Sequence, residues 1–325
     1  MLKTTLVTTA LLAAAWLGSP VAAQTTDFPN KPVRIVVPFP PGGATDITAR
    51  VVAEKLSTKW GQPVVIDNKA GAGGNVGSDL VAKSAPDGYN IVLGVTGSHS
   101  INISLYKKMP YHPLNDFEPL TQATIYPNAI VVNPQVPANT LPELIALLKK
   151  EPGKFSYGSD GNGTASHLGM EILKARANVQ LTHIPYKGEA AALSDLIAGQ
   201  IDFCACNVPA STGFIKGGQI KALAVTSAKR LAALPNIPTV AEASIPGFEN
   251  VGWFALMAPA NTPKLITDKI YAAAIKAVKS EAMQKSLELN SLTPVLNTQK
   301  ELETQIVSEL AKWEKVIKAR NLTAN

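Results

Sequence analysis

Short apolar runs alternate with amphipathic stretches along most of the chain. Val33, Ile35 and Val37 belong to the first of these runs, whose β-branched residues predict a buried strand. Further runs that predict strands begin near Val64, Ile91, Asn128, Lys221 and Trp253. Helical periodicity covers about 263–279 and 300–319. Because strands alternate with helices and no Asn-Gly turn lies between two predicted strands, the pattern predicts an α/β fold with largely parallel sheets.

A proline- and glycine-rich turn follows the first strand. The prolines between residues 38 and 41 cannot continue a β-ladder, so the strand ends there. Gly42 and Gly43 then open a helix, whose start leaves unpaired N–H groups with the positive end of the helix dipole behind them. The sequence therefore predicts an anion site built from backbone at this turn. Asp46, in the first helical turn, either caps its own helix or selects a donor group of the ligand.

Residues 155–170 repeat this order of strand, glycine-rich turn and helix. Gly161 and Gly163 allow a ligand to approach the backbone closely, and Ser159 and Thr164 offer hydroxyl groups. We therefore predict a second anion-binding turn here. One turn of this kind, taken alone, is more readily a tight structural turn.

Two more loops precede predicted helices. Residues 68–77 nearly match a dinucleotide fingerprint, but Val76 stands where the last glycine or alanine belongs, and a structural turn fits them equally well. Residues 96–100 place hydroxyl groups at a helix start. In an alternation of strands and helices such loops lie at the carboxyl ends of parallel strands, the edge where open α/β sheets bind ligands.

Composition and charge narrow the choice of function. With 325 residues, 46% hydrophobic and 17% charged, the chain has enough apolar material for two domains of ordinary size. The net charge of +6 comes from scattered Lys and Arg residues, so nucleic acid is not an expected partner. Lys3, the apolar run 6–17 and the small residues 21–23 predict a cleaved export signal over Met1–Ala23. The alternative is an uncleaved membrane anchor, for which the run is short.

The two cysteines, Cys204 and Cys206, stand at i and i+2 of a predicted strand. Their side chains point to one face. A disulfide between such close neighbours is rare and strained, so we expect two buried free thiols. No further ligand at metal-site spacing lies nearby, and we expect no metal.

The chain carries no recognisable catalytic motif. It lacks a Gly-x-Ser-x-Gly elbow, a His-Glu-x-x-His pair and a P-loop lysine. Ser98-His99 and Ser166-His167 are sequence neighbours, which does not create triad geometry. We therefore expect a binding protein without a cofactor rather than an enzyme, and keep an exported hydrolase as an alternative.

Several stretches resemble the Bug family, the extracytoplasmic receptors of tripartite tricarboxylate transporters. They include PVRIVVPFPPGGATDITARVVAEKL, GNGTASHL, HIPYKGEAAALSDLIAGQIDF and WFALMAPANTPK, and the resemblance covers nearly all of the predicted mature chain. It implies a two-domain periplasmic binding protein of the type II kind, each domain a mostly parallel sheet flanked by helices, with the ligand cleft between them. Residues 27–126 and 230–325 would form the first domain, and residues 127–229 the second.

The resemblance also implies a function and partners. A small carboxylate would bind between two groups of loop residues, the first jaw and the second jaw. The closed form would dock on integral membrane subunits of a tripartite tricarboxylate transporter. Presentation of the ligand to a membrane sensor kinase is an alternative that uses the same site. The mature protein is expected to be a periplasmic monomer that is not embedded in the membrane.

The expected ligand-binding residues fall into three groups. The first jaw comprises Pro41, Gly42, Gly43 and Asp46. The second jaw comprises Ser159, Gly161, Gly163, Thr164 and His167. Wall positions are expected at Thr96, Ser98, Tyr186 and Asn207.

Two positions depart from the family pattern. Glu189 stands where a small residue is common. Near the cleft it would repel a second acid group of the ligand or attract an amine; otherwise it points to solvent at a helix start. The run that ends in Cys206-Asn207 replaces a bulkier one, and if Cys206 lines the cleft, the distal pocket is less acidic than is usual in the family.

Overall fold

The computed structural model describes residues 27–324. The predicted export signal, Met1–Ala23, lies outside these residues. Over the described part of the chain, no helix combines the length and the apolar character that a bilayer span requires.

Strands and helices alternate along the described chain. The strands are β1 (Val33–Val37), β2 (Val64–Asn68), β3 (Asn90–Val95), β4 (Phe117–Val132), β5 (Ser156–Ser159), β6 (Thr182–Pro185), β7 (Phe203–Asn207), β8 (Lys221–Val225), β9 (Val251–Pro259) and β10 (Thr293–Pro294). The helices are α1 (Ala44–Trp60), α2 (Asn75–Ala82), α3 (Asn102–Leu105), α4 (Leu141–Lys150), α5 (Ala165–Ala177), α6 (Glu189–Ile197), α7 (Val208–Lys216), α8 (Val240–Ala243), α9 (Lys264–Val278), α10 (Glu281–Leu289) and α11 (Gln299–Ala319). Two short helical segments, Ala72–Gly74 and Gly97–Ile101, precede α2 and α3.

One long strand, β4, joins the two halves of the molecule. The strands follow a continuous path in the order β2-β1-β3-β9-β4-β7-β5-β6. The first part of β4, residues 117–127, pairs with β9, and the last part, residues 128–132, pairs with β7 and β8. Each half therefore has its own sheet, and helices pack on both.

The α/β class is confirmed, but the prediction of mostly parallel sheets is wrong. β1 runs parallel to β2 and β3, and β5 runs parallel to β6 and β7. In contrast, β4 and β9 are antiparallel to all the strands that they pair with. A strand that is buried on both faces reads as a continuous apolar run, and such a run gives no sign of strand direction.

Each half also has its own hydrophobic core. Val37 and Phe254 belong to the core of the first half, and Ile130 and Phe203 to that of the second. Residues beyond the predicted boundary at 229 pack with the second half as well; they are Leu234, Val240, Ile245 and Phe248. We therefore propose that the inserted domain begins at residue 127, as predicted, and extends past Phe248.

The two halves touch across the space between them. Tyr106 Oη donates to the carbonyl oxygen of Asn162 at 3.4 Å. A Cβ added to Gly97 would lie 2.7 Å from the carbonyl oxygen of Gly163, closer than real Cβ contacts come. The structure therefore has the halves closed on each other, with glycine at the contact because a larger residue does not fit.

Candidate functional site

The first glycine-rich turn connects β1 to α1. Gly42 has a φ of +89°, in the left-handed region that favours glycine. Gly43 precedes the first helical residue, and no side chain of the described residues caps the helix there. The N–H groups of the first turn of α1 therefore have no intrahelical partner, and the positive end of the helix dipole lies behind them.

Asp46 holds this turn in place. Its Oδ2 accepts hydrogen bonds from Gly42 N–H at 3.1 Å and Arg50 Nε at 2.9 Å, and its Oδ1 accepts one from Asn68 Nδ2 at 3.0 Å. Burial raises the pKa of Asp46, but these hydrogen bonds and the charge of Arg50 outweigh it, so the pKa lies below its usual value. These contacts hold the loop before α1, and none of them caps the helix, which is one of the two roles predicted for Asp46.

A cavity of about 190 Å³ opens at the start of α1. Gly43, Ala44 and Thr45 line one side of it. The other side is the start of α6, where Gly188 precedes the helix and no side chain of the described residues caps it. Two helix N-termini therefore face one space. Other residues that line the cavity are Phe39, Pro41, Asp160, Lys187, Glu189 and Asn207.

A second, smaller cavity of about 150 Å³ adjoins the first. It lies between residues 71–73 of the glycine-rich loop before α2 and the second glycine-rich turn, represented by Gly161. Three residues line both cavities: Phe39, Asp160 and Lys187. The two cavities therefore form one cleft between the halves of the molecule.

The second glycine-rich turn is closed by its own side chains. Ser159 Oγ shares a hydrogen bond with His183 Nε2 at 2.6 Å and also bonds the N–H and the carbonyl oxygen of Gly161. Thr164 caps α5 by accepting a hydrogen bond from His167 N–H at 3.4 Å, and its hydroxyl donates to the carbonyl oxygen of Gly161 at 2.8 Å. The hydroxyl groups predicted to bind a ligand here therefore already have partners within the turn.

His167 and His183 stack behind this turn, with 4.1 Å between their ring centroids. His167 Nδ1 accepts a hydrogen bond from Gly163 N–H at 3.1 Å. Burial lowers the pKa of His167 to about 4 and that of His183 to about 3, so both rings are neutral at neutral pH. His167 therefore supports the backbone of the turn and brings no positive charge to an anion.

Two buried carboxylates lie in the cleft. Asp160 is 7% exposed and Glu189 is 4% exposed. Ser166 Oγ donates to Asp160 Oδ1, and Asn207 N–H donates to Glu189 Oε1 at 2.9 Å. Burial raises the pKa of both acids, and the nearby charge of Asp160 raises that of Glu189 further. Glu189 therefore lines the cleft rather than pointing to solvent, and Asp160 is a cleft residue that the sequence analysis missed, although an acid inside a glycine-rich turn is an evident signal.

The predicted wall positions divide into two pairs. Tyr186 lines the smaller cavity and Asn207 the larger one. Thr96 and Ser98 line neither, and both are buried in the first half. Thr96 Oγ1 accepts a hydrogen bond from Trp253 N–H at 2.8 Å, and Ser98 Oγ bonds the ring of the neighbouring histidine at 2.8 Å. The hydroxyl groups at this helix start therefore hold the first sheet together.

Cys204 and Cys206 form a disulfide, so the prediction of free thiols is wrong. Both side chains point to one face of β7, and their Cα atoms are 5.3 Å apart, a distance that a disulfide spans. Both residues are fully buried in the second half and line neither cavity, so Cys206 does not shape the cleft as was considered. A carboxylate oxygen of Glu189 lies within 4.8 Å of both sulfur atoms. Because the sulfurs are bonded to each other, neither is a thiolate ligand for a metal.

The chain is similar to a known family of receptors. A model of the tripartite tricarboxylate transporter family receptor matches residues 48–322. Protein BugT of Bordetella pertussis is 36% identical over 308 residues, which is 94% of this chain and 94% of BugT.

Solved structures have the same fold. Rpa4515 of R. palustris, determined with adipate, is 36% identical with a TM-score of 0.89, and the match covers 91% of this chain and 99% of that one. MatC from Rhodopseudomonas palustris, determined with bound malate, is 30% identical with a TM-score of 0.85, and covers 89% of this chain and all of that one, 100%. These similarities confirm the two-domain fold of a periplasmic binding protein.

Proposed function

The chain belongs to the tripartite tricarboxylate transporter receptor family, and on that premise we propose that it captures a small carboxylate in the periplasm and delivers it to the membrane subunits of such a transporter. The family consists of receptors that bind substrates, so the chain is a receptor and not an enzyme. Adipate and malate in the related structures support a carboxylate as the ligand.

The uncapped start of α1 is the observation that carries this proposal. Its free N–H groups and the helix dipole suit a carboxylate, because hydrogen bonds to an ionised acceptor are the stronger class. Gly43 leaves the backbone open to a ligand, since a side chain at this position would stand between the helix start and the cavity. Asp46 stabilises this conformation of the turn by accepting a hydrogen bond from Gly42 N–H.

We place the second jaw at the start of α6 rather than at Ser159–His167. Gly188 leaves that helix uncapped, and its first turn faces α1 across the larger cavity. Lys187 is exposed at the edge of both cavities and offers a positive charge to an approaching anion. Within Ser159–His167, Asn162 and Gly163 instead supply the contact on which the halves close, whereas Asp160 and Gly161 line the cleft.

Delivery requires that the transporter distinguish loaded from empty receptor. A ligand that contacts α1 in one half and α6 in the other favours the closed arrangement, because it binds the closed form more tightly than the open one. We propose that the closed form presents the surface that docks on the membrane subunits.

Thermal unfolding against a panel of carboxylates and their amides tests the ligand class. The panel contains adipate, malate and other small acids, each beside its amide. A ligand at about 100 times its dissociation constant adds about 2.7 kcal/mol of stability, which shifts the unfolding temperature by an easily measured amount. Stabilisation by acids and not by amides supports the proposal; no stabilisation by any acid, after removal of bound host ligand by unfolding and refolding, contradicts it.

Gly43→Val tests the first jaw. The Cβ of a residue at this position lies 3.7 Å from the Cβ of Glu189, so the two further methyl groups of valine enter the cavity. We expect carboxylate affinity to fall by at least about tenfold, because the ligand loses its approach to the N–H groups, which is a loss of about 1.4 kcal/mol or more. Titration calorimetry measures the affinity. Gly213→Val is the matched control, since nothing lies within 4 Å of its added Cβ. Equal carboxylate affinities in the two variants would show that the start of α1 is not part of the binding site.

A further inference from the structure

Glu189 is the first residue of α6 and one of its oxygens has no partner. Asn207 N–H donates to Oε1 at 2.9 Å, whereas Oε2 is buried and accepts no hydrogen bond from any described residue. A buried carboxylate oxygen without a donor is strongly unfavourable, because it has left water and gained nothing in return. The position of Glu189 at the wall of the larger cavity makes the cleft the place from which a donor can come.

Asp160 adds a second carboxyl group to the same cleft, and burial raises its pKa as it raises that of Glu189. It lines both cavities, and its field acts on Glu189 and on the buried ring of Tyr126. Ser166 Oγ donates to Asp160, which favours its ionised form. The Asn207 N–H bond favours the ionised form of Glu189 in the same way. The wall formed by the second half therefore carries two carboxyl groups that a nearby cation would keep ionised, and the positive start of α1 lies opposite it.

Among residues 27–324, no cationic side chain forms an ion pair with either of these acids. No ion pair among the described residues joins Lys187, the exposed cation at the edge of the cleft, to Asp160 or Glu189. The sulfur atoms nearest to Glu189 are bonded to each other and are not metal ligands. A ligand in the larger cavity is therefore placed to supply the missing donor.

We propose that the ligand of this receptor is a small zwitterion, whose carboxylate binds the start of α1 and whose ammonium group binds between Glu189 Oε2 and Asp160. The inference rests on the proposed function and adds the ammonium as a second group of the ligand that the receptor recognises. A primary or secondary ammonium fits because it supplies both the N–H donor and the positive charge; a quaternary ammonium has no N–H to donate. A dicarboxylate would place its second anion beside two buried acids.

The size of the cleft limits the spacer between the two charged groups. The larger cavity, about 190 Å³, corresponds to roughly six water molecules at about 30 Å³ each. This space suits compact amino acids with a short chain between the carboxylate and the ammonium. Glu189 and Asp160 are thus the residues that select the amino group, and the start of α1 accepts the acid common to the family.

The test compares matched ligands by titration calorimetry on refolded, ligand-free protein. Each set holds one amino acid, the acid that lacks its amino group, and the dicarboxylate of equal length: β-alanine, propionate and succinate; then 4-aminobutyrate, butyrate and glutarate. We expect at least one amino acid to bind at least tenfold more tightly than both of its partners.

Two variants show whether the acids are responsible. Glu189→Gln keeps an oxygen for Asn207 N–H but removes the charge, and Asp160→Asn does the same at the second acid. We expect each to lower the affinity for the amino acid by at least tenfold relative to that for the matched simple acid. Glu281→Gln is the matched control, because Glu281 is also the first residue of a nine-residue helix but is exposed and outside the cleft. Its affinities for all of these ligands should equal those of the wild type.

The outcomes separate this inference from the function on which it rests. If simple acids or dicarboxylates bind and amino acids have no advantage, the receptor function stands and the zwitterion is wrong. Tighter binding of dicarboxylates that Glu189→Gln weakens would mean that Glu189 carries a proton and donates it to a second acid group, which also overturns the inference. If no acid of either kind binds the wild type or a variant, both proposals fail.

Discussion

Two glycine-rich turns that each join a strand to a helix differ in how their backbone N–H groups are bonded. Residues 38–46 and residues 159–167 both connect a strand to a helix; Gly42 has a positive φ in the first turn, and Gly161 and Gly163 have one in the second. The first turn leaves its helix uncapped and opens into the larger cavity. The second is capped by Thr164, and Ser159 and His167 bond the backbone of Gly161 and Gly163.

The difference lies in what the side chains do with the backbone donors. In the first turn the side chain of Asp46 accepts a hydrogen bond from Gly42 N–H and does not cap the helix start. In the second turn, hydroxyl and imidazole groups accept hydrogen bonds from the N–H groups of Asp160, Gly161, Gly163 and His167, which leaves fewer donors for an incoming anion. A glycine-rich helix start is an anion site only when its neighbours leave the N–H groups unpaired.

The largest expected effect concerns closure on the second turn. Gly163 has a φ of +77°, and a Cβ there would fall on Asn102 Oδ1 and lie 3.0 Å from Leu105 Cδ2 in the other half. We expect Gly163→Ala to prevent closure and to weaken every ligand by about 100-fold or more, or about 2.7 kcal/mol. Titration calorimetry gives the affinities, and small-angle scattering shows whether ligand still compacts the protein.

Gly153→Ala is the matched control for this substitution. Gly153 has the same φ of +77°, but nothing lies within 4 Å of an added Cβ. Both variants therefore carry the same backbone strain, and only one carries the clash between the halves. Equal affinities in the two would show that the contact of the second turn is not needed for binding.

A smaller effect, on stability rather than binding, is expected for Ser159→Ala. The change removes the partner of His183 Nε2 and one set of contacts to Gly161, and leaves buried polar groups without a hydrogen bond. We expect the free energy of unfolding in urea to fall by about 2 kcal/mol and ligand affinity to stay within a factor of about three, under 1 kcal/mol. Ser308→Ala, an exposed serine on α11, provides the baseline. A large loss of ligand affinity at unchanged stability would show that Ser159 belongs to the binding site.

The histidines behind the second turn should make the protein less stable in mild acid. His183 has a pKa lowered by burial to about 3 in the folded protein, against an ordinary value of about 6.5. Its contribution is complete above pH ~6.5 and is lost progressively as the pH falls towards 3, because the unfolded chain takes up a proton that the folded one excludes. In this window His183→Gln should reduce the pH dependence of stability by about one proton, or about 1.4 kcal/mol per pH unit. An unchanged slope in urea titrations between pH 4 and 6.5 would contradict the burial of a neutral ring.

The smallest effect is expected at Asp46 in the first turn. Asp46→Asn removes the negative charge that accepts hydrogen bonds from Arg50 and from Gly42 N–H, but it keeps the shape of the side chain. Since Arg50 is half exposed, we expect a loss of about 0.5–1 kcal/mol in stability. The pKa of Asp46 is lowered, so this contribution is present above its unfolded value of about 4 and is lost as the pH falls through the folded value. Chemical unfolding at pH 7 and pH 3 should show the difference between variant and wild type at pH 7 and little of it at pH 3.

The sequence by itself determined the features that depend on neighbouring residues. The proline stop after β1, the positive φ at Gly42 and the start of α1 follow from local backbone chemistry, and so does the bond from Gly42 N–H to Asp46 four residues later. The alternation of strands and helices was predicted for the same reason. The two-domain fold was predicted from the resemblance of these stretches to a receptor family.

The tertiary structure decided what depends on residues distant in the chain. It placed the start of α6 opposite α1, brought Asp160 and Glu189 into one cleft, and turned Thr96 and Ser98 away from it. The antiparallel β4 and β9 were hidden because apolar runs do not encode strand direction. Whether an N–H group or a carboxylate oxygen is free depends on which partners the fold brings within hydrogen-bond distance, and a local sequence pattern does not contain that information.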